Sequence, residues 1–368
     1  METSVYLKRM NRVKEGMSKQ GIDAFLVSPS SNLFYLTGYA VHGDERLLVL
    51  VLPREGEPFL LANLLYKEQV KLLPVKDFVY WKDGEEPFGL LKKEIEKRNI
   101  PMKKAALEPE IPAFFVLPIN QTFPEATFVL GSPLTEPLRQ IKDESELELI
   151  RRACKEADKA LGALINKGSY WVGKTEAEFC RELATELNRG GVNAFGASVQ
   201  AGENSAIPHY TTGNAIIEKG KNLLIDYWGS YAGYFTDSTR TFHFGRPDKE
   251  FEKVYAIVLE AHLAAEAAAR PGNVLGDVDL AARSVIEKYG YGEYFTHRLG
   301  HGLGIDVHEG ASANKGVNVP IEPGMVFSIE PGIYLPGKFG VRIENLVAIN
   351  KKGPEVLHTF PRELVVIE

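Results

Sequence analysis

The 368-residue sequence predicts an α/β domain followed by a larger α+β domain with an internal duplication, and three observations predict it. Short apolar runs alternate with helix-like segments up to about residue 131. A long stretch of helix formers then breaks that rhythm. Beyond it, one pattern occurs twice: a glycine opens an apolar strand that ends on a carboxylate.

The opening segment places Tyr6, Met10, Val13 and Met17 at helical spacing, so an amphipathic helix starts the chain. DAFLVS (23–28) and LLVLVLP (47–53) read as strands, with NLFYLTGY (32–39) between them and its glycine marking a turn. FVYW, AALEP and ATFVLG continue the alternation, which gives a first domain over 1–131. Residues 133–168 carry two prolines and then an apolar stripe of Ile141, Leu147, Ile150, Ala153, Ala157 and Leu161, with Asp143 or Ser145 able to cap the start. A linker helix is expected near 138–167, opening a second domain over 132–368. Further helices fit 174–191 and 249–270, and the remainder reads as strand and glycine.

The duplication concerns GKNLLID (220–226) and GMVFSIE (324–330). Each delivers a carboxylate, Asp226 or Glu330, and each is followed by a second, Asp237 or Glu344, after a turn containing glycine and tyrosine. Two such hairpins suggest a pseudo-twofold arrangement with a site on its axis. Four acids entering one core repel one another strongly, and cations are the simplest remedy. Three of the eight histidines fall in HRLGHGLGIDVHEG (297–310). Gly300, Gly302 and Gly304 rule out a stable helix there and point to close backbone approach. His301 is the natural ligand. One imidazole and four carboxylates suit divalent ions such as Mn²⁺, Co²⁺, Fe²⁺ or Zn²⁺.

Composition narrows the alternatives. Apolar residues make up 44% and charged residues 25%, with a net charge of −6 and no basic cluster interleaved with aromatics, so neither nucleic acid nor an anionic membrane is an expected partner. The N-terminus lacks the apolar core of a signal peptide, and LLVLVL (47–52) is far short of a bilayer span. Cys154 and Cys180 form no CxxC and read as small hydrophobes, which fits a cytoplasmic setting.

Asp226, Asp237, His301, Glu330 and Glu344, in this order and spacing, resemble the five ligands of the pita-bread metallopeptidases. The surrounding words match too: YAGYFTD, GHGLGIDVHE, EPGMVFSIEPGIY and GVRIEN. SNLFYLTGY resembles the creatinase-type N-terminal domain of the Xaa-Pro branch, the prolidases and aminopeptidases P. The resemblance covers nearly the whole chain. It implies an α/β N-terminal domain, a pita-bread (creatinase/aminopeptidase) catalytic domain, two metal ions with manganese foremost, and a homodimer in which the first domain limits access to a partner's site. The activity implied is hydrolysis of the N-terminal Xaa-Pro bond of short peptides by a metal-bridged hydroxide, with Glu330 moving the proton. By the same resemblance His209, His297, His308 and Arg342 handle substrate.

Two departures stand out. Trp228 replaces the usual glycine of Asp-X-Gly and is expected to reshape a pocket wall. Ser312 stands where dipeptide-cleaving prolidases often carry arginine, and the nearest cation in sequence is Lys315, which argues against strict dipeptidase activity. Competing readings are a methionine aminopeptidase, disfavoured by the extra domain; a metal-independent hydrolase or a non-catalytic binder, disfavoured by the intact ligands, Glu330 and His308; and a family member acting on a small non-peptide metabolite.

Overall fold

A computed structural model describes residues 3–368. The chain forms two compact units that divide between Arg139 and Gln140.

The first unit is built on a six-stranded mixed sheet. Its elements are α1 (Thr3–Gln20), β1 (Ala24–Val27), α2 (Ser31–Thr37), β2 (Val49–Pro53), β3 (Phe59–Asn63), α3 (Lys67–Val70), β4 (Asp77–Trp81), α4 (Pro87–Lys97), β5 (Lys104–Leu107), α5 (Ala113–Thr122), β6 (Thr127–Leu130) and α6 (Ser132–Gln140). The strand order is β4-β3-β2-β1-β5-β6. β2 pairs antiparallel with β1 and β3, and every one of its residues is buried, which is why it is continuously apolar rather than alternating. Met10, Val13 and Met17 form the buried face of α1, as their spacing predicts. Around 32–39 the structure adds an element that the sequence left unassigned, and Gly38 makes the expected turn. The element is a helix, because the Ser30 side chain accepts from the Leu33 N–H at its start, and Gly38 ends it in the left-handed region at φ 77°.

The division lies later than the expected 131/132 boundary, and α6 explains the difference. Leu134, Thr135 and Arg139 are buried, and Arg139 donates to Asn32 Oδ1 at 3.0 Å, while Asn32 donates to the buried Glu108 at 3.0 Å. These contacts hold α6 within the first unit. The helix expected near 138–167 is α7 (Glu144–Ile165), and α6 precedes it as a separate helix. Asp143 starts α7, with its carboxylate accepting from the Glu146 N–H and Glu146 accepting from the Asp143 N–H.

The second unit contains α7 (Glu144–Ile165), α8 (Glu176–Arg189), β7 (Asn193–Ala201), β8 (Asn222–Tyr231), β9 (Tyr234–Phe244), α9 (Lys249–Ala268), α10 (Leu275–Lys288), β10 (Val326–Ile329), β11 (Gly332–Leu335), β12 (Phe339–Arg342), β13 (Asn345–Asn350), β14 (Gly353–Val356) and β15 (Val365–Ile367). One sheet runs β15-β9-β8-β7, a second β10-β13-β14, and β11-β12 form a hairpin. Two cores repeat one plan. α7 and α8 pack on β7, β8 and β9 around Leu161, Trp171, Phe179 and Ile225. α9 and α10 pack on β10 to β13 around Val258, Ala282, Phe327 and Ile343. The sequence reading had no helix at 275–288. Among the described residues no helix is long and apolar enough to cross a membrane.

Candidate metal centre and substrate cavity

The hairpin β8–β9 carries the first two acids. Asp226 lies opposite Thr239, and Trp228 opposite Asp237. Asp226, Trp228, Asp237 and Thr239 therefore share one face of the sheet. In the second half the ladder pairs Ser328 with Leu346 and Ile329 with Asn345, and its continuation sets Glu330 opposite Glu344. Glu344 lies in the two-residue link between β12 and β13. The halves are joined where the Glu344 N–H donates to the Thr239 carbonyl at 3.0 Å and Thr239 Oγ1 donates to Glu344 Oε2 at 2.7 Å.

His301 arrives alongside β10. Ser328 N–H donates to the His301 carbonyl at 2.9 Å, His301 N–H donates to Ser328 Oγ at 3.0 Å, and Gly302 bridges Phe327. Glycine is required for this approach: a Cβ on Gly300 would overlap the Ser328 carbonyl, and one on Gly302 the Glu309 carbonyl. Both obstacles are backbone and cannot swing aside. Gly300→Ala is expected to cost about 3 kcal/mol by urea unfolding. Gly162→Ala in α7, where the nearest outside atom is 3.8 Å from the new methyl, is expected to be neutral or to stabilise by about 0.5 kcal/mol. Equal effects would mean that the segment carrying His301 is not packed this tightly.

All nine residues singled out from the sequence line one cavity of about 430 Å³, together with Ser198, Tyr210, Trp228, Arg298 and Tyr334. Asp237, His301 and Glu344 offer ligand atoms within 4.8 Å of one another. Asp226 and Glu330 stand beside that trio. His301 Nε2 lies 3.4 Å from Glu330 Oε1 and 3.6 Å from Asp237 Oδ2, while Asp226 Oδ2 accepts from Arg342 at 2.8 Å.

The electrostatics call for a cation. Burial, followed by repulsion from Glu344, holds Asp237 and Glu330 well above the ordinary carboxylate range, and burial with the Asp226 charge pushes Glu344 to about 7. Burial, then the His308 charge, lowers His301 to about 3, so its imidazole is neutral at pH 7. Its Nδ1 faces the Gly302 carbonyl at 3.2 Å, which assigns the proton there and turns the Nε2 lone pair toward the carboxylates. Asp237 Oδ1 and Glu344 Oε1 are buried without a hydrogen-bond partner among the described residues. A lone pair and two orphaned anionic oxygens around one point fit a divalent ion.

A polar shell fixes these groups. The Arg342 guanidinium donates to Asp226, to Thr239 Oγ1 at 3.0 Å and to Tyr334 Oη at 2.8 Å. Tyr334 in turn donates to His297 Nε2 at 2.8 Å, because His297 Nδ1 donates to the Arg298 carbonyl at 2.7 Å. His308 packs its ring 4.0 Å from that of His301. In the segment between them, the Ile305 and Asp306 N–H groups donate to Glu309 Oε2, and the other Glu309 oxygen pairs with the buried Lys142 at 2.9 Å. The fully buried Glu176 accepts from Ala201, Asn204, Tyr210 and Gly213 at 2.7–2.9 Å and so shapes the segment carrying His209. Sequence reasoning missed Glu176, Thr239 and Tyr334. Tyr334 lies within EPGMVFSIEPGIY, and Thr239 sits two residues after Asp237 on the same strand face.

Residues 148–351 match the model of Metallopeptidase family M24, and residues 9–141 match the Creatinase/Prolidase N-terminal domain. The chain belongs to metallopeptidase family M24. Family M24 membership implies divalent metal ions, in keeping with the donor set around His301. A putative dipeptidase, YkvY, of Bacillus subtilis (strain 168) is 36% identical over 365 residues, spanning 98% of this chain and 100% of that protein. The crystal structure of a recombinant prolidase from Thermococcus sibiricus matches with a TM-score of 0.93 and 37% identity, over 100% of this chain and 99% of that one. An X-Pro aminopeptidase from Thermotoga maritima MSB8 matches with a TM-score of 0.84 and 32% identity, over 96% and 100%. These likenesses run through both units and confirm the fold class expected from the sequence.

Proposed function

We propose that the chain is a metallo-exopeptidase that hydrolyses the N-terminal Xaa-Pro bond of short peptides. Two divalent ions, manganese foremost, would be held by Asp226, Asp237, His301, Glu330 and Glu344. The observation that carries the reading is the neutral His301 lone pair facing buried carboxylates, two of whose oxygens lack any partner. Divalent ions, when bound, supply Lewis acidity and make water acidic enough to act as a nucleophile near neutral pH.

The remaining work falls to the chain itself. Proline's nitrogen carries no N–H in the peptide and must gain a proton to leave as an amine. Glu330, with Ser328 Oγ donating to its Oε1 at 3.2 Å, accepts the proton of the attacking water and returns it to that nitrogen. His308, whose proton affinity is lowered by partial burial and then by the Arg298 charge, and His209 donate toward the oxygen that becomes negative. His297 and Arg342, joined through Tyr334, fix the wall beside Asp226. A homodimer and a cytoplasmic setting belong to the same reading, and both cysteines are free thiols.

The test is to strip the protein of metal, restore Mn²⁺, and compare Ala-Pro and Ala-Pro-Ala with Met-Ala-Ser. Cleavage of the proline peptides alone is expected. If neither proline peptide is cut with Mn²⁺, Co²⁺ or Zn²⁺, the Xaa-Pro reading falls. Trp228 on the cavity wall then favours a small non-peptide substrate, the runner-up.

A further inference from the structure

Two arginines line the cavity among the described residues, and they differ in one respect. Arg342 is buried, its guanidinium committed to Asp226, Thr239 and Tyr334. Arg298 is half-buried, and its guanidinium has one side-chain partner among the described residues, the neutral Ser312 Oγ, which accepts from it at 3.0 Å. No carboxylate pairs with it there. A guanidinium is always charged, presents its donors as a planar fork, and costs free energy when partly desolvated without a counter-ion. Arg298 therefore offers an open fork to whatever fills the cavity.

The arrangement around it gives Ser312 a partner. Gly300 and Ala313 form a bridge, which runs the segment carrying Arg298 beside the one carrying Ser312. The hydroxyl orients the guanidinium, whereas a cation at 312 would repel it. Lys315, the nearest cation in sequence, is exposed and does not line the cavity. The cavity is thus bipolar. Asp226, Asp237, Glu330 and Glu344 form an acidic part and Arg298 a basic part, and charges of both kinds, from Arg298 and Asp226, act on His308. The complementary ligand is a short zwitterion, with an ammonium for the acidic part and a carboxylate for the guanidinium.

We propose that Arg298, oriented by Ser312, binds the free C-terminal carboxylate of the substrate and makes the enzyme selective for dipeptides. This rests on the Xaa-Pro reading and reverses the expectation drawn from Ser312 alone.

The test uses the Mn²⁺-loaded full chain with Ala-Pro, its C-terminal amide and Ala-Pro-Ala. The free dipeptide is expected to exceed its amide in kcat/KM by roughly 10- to 100-fold, the value of a charge-assisted hydrogen-bonded pair, expressed mainly in KM. In Arg298→Gln that advantage should collapse toward unity, and Arg298→Lys should restore part of it as a point charge without the fork. The lysine variant also decides the matter if the glutamine variant does not fold. Wild-type enzyme cleaving acid and amide equally well would overturn the proposal and leave the Xaa-Pro reading standing. So would a variant that keeps the full discrimination, because another residue would then hold the carboxylate. Wild-type enzyme that cleaves none of the three would overturn the Xaa-Pro reading, and the proposal with it.

Discussion

Replacing Glu330 with glutamine is expected to lower kcat on an Xaa-Pro peptide by roughly a thousandfold, within the range set by general acid–base catalysis. The substitution is close to isosteric, and the amide oxygen still accepts from Ser328 Oγ, so the wall of the cavity is preserved. What disappears is a carboxylate able to take a proton and return it. Burial, and next the charge of Glu344, raise the proton affinity of Glu330, the direction suited to a group that must pick up a proton during the reaction. Because Glu330 Oε1 also lies 3.4 Å from His301 Nε2, the variant tests two roles together, and metal content measured on the same sample separates them. A thousandfold loss with metal retained identifies the proton carrier. A loss of less than about tenfold with metal retained would assign the proton to another group.

The residues gathered at the candidate metal site were largely legible in the sequence because they come in local words. Asp226 and Glu330 each end a mostly apolar run, and His301 sits among glycines that only a crowded backbone explains. Other features are set by pairings between distant segments, which leave no local trace. Arg298 and Ser312 meet only because Gly300 bridges Ala313, and a linear reading therefore searched forward to Lys315 for a cation. Tyr334 joins Arg342 to His297 through a tertiary contact across β11 and β12, where Gly332 faces Arg342. The helix α2 escaped notice because it is short and buries Asn32, Leu33, Tyr35, Leu36 and Thr37, leaving no polar stripe to reveal its period. α6 displaced the domain boundary for a similar reason. Its two prolines read as a linker, but the partners of Arg139 and Leu134 lie in the first unit.

Restoring Mn²⁺ is expected to stabilise the metal-free protein more strongly as pH rises through about 7. Glu344 titrates near 7 in the folded chain against an ordinary 4.5, owing to burial and then to Asp226, and Asp237 and Glu330 are also raised. An acid with a raised folded-state pKa contributes stability that is fully present below its unfolded value and is lost as pH climbs through the folded one. For Glu344 alone the loss totals on the order of 3 kcal/mol, most of it complete by pH 7. His301, lowered to about 3, is neutral in the folded chain over this range, and His297 and His262, lowered to about 4 and about 3, titrate alike with and without metal. His358, raised to about 10 against burial by Cys154 and Asp158, titrates alike with and without metal and cancels in the comparison. Metal binding needs the deprotonated ligands, so its contribution grows over the same range in which the empty cluster weakens. The gap in Tm between Mn²⁺-loaded and metal-free samples should therefore widen with pH, and Glu344→Gln should raise the Tm of the metal-free protein at the alkaline end. A constant gap would mean that these carboxylates do not share one buried cluster. A widening gap would give the physical reason for keeping such a cluster: its mutual repulsion is relieved by cations, so the acids that destabilise the empty chain are the ones that bind the ions.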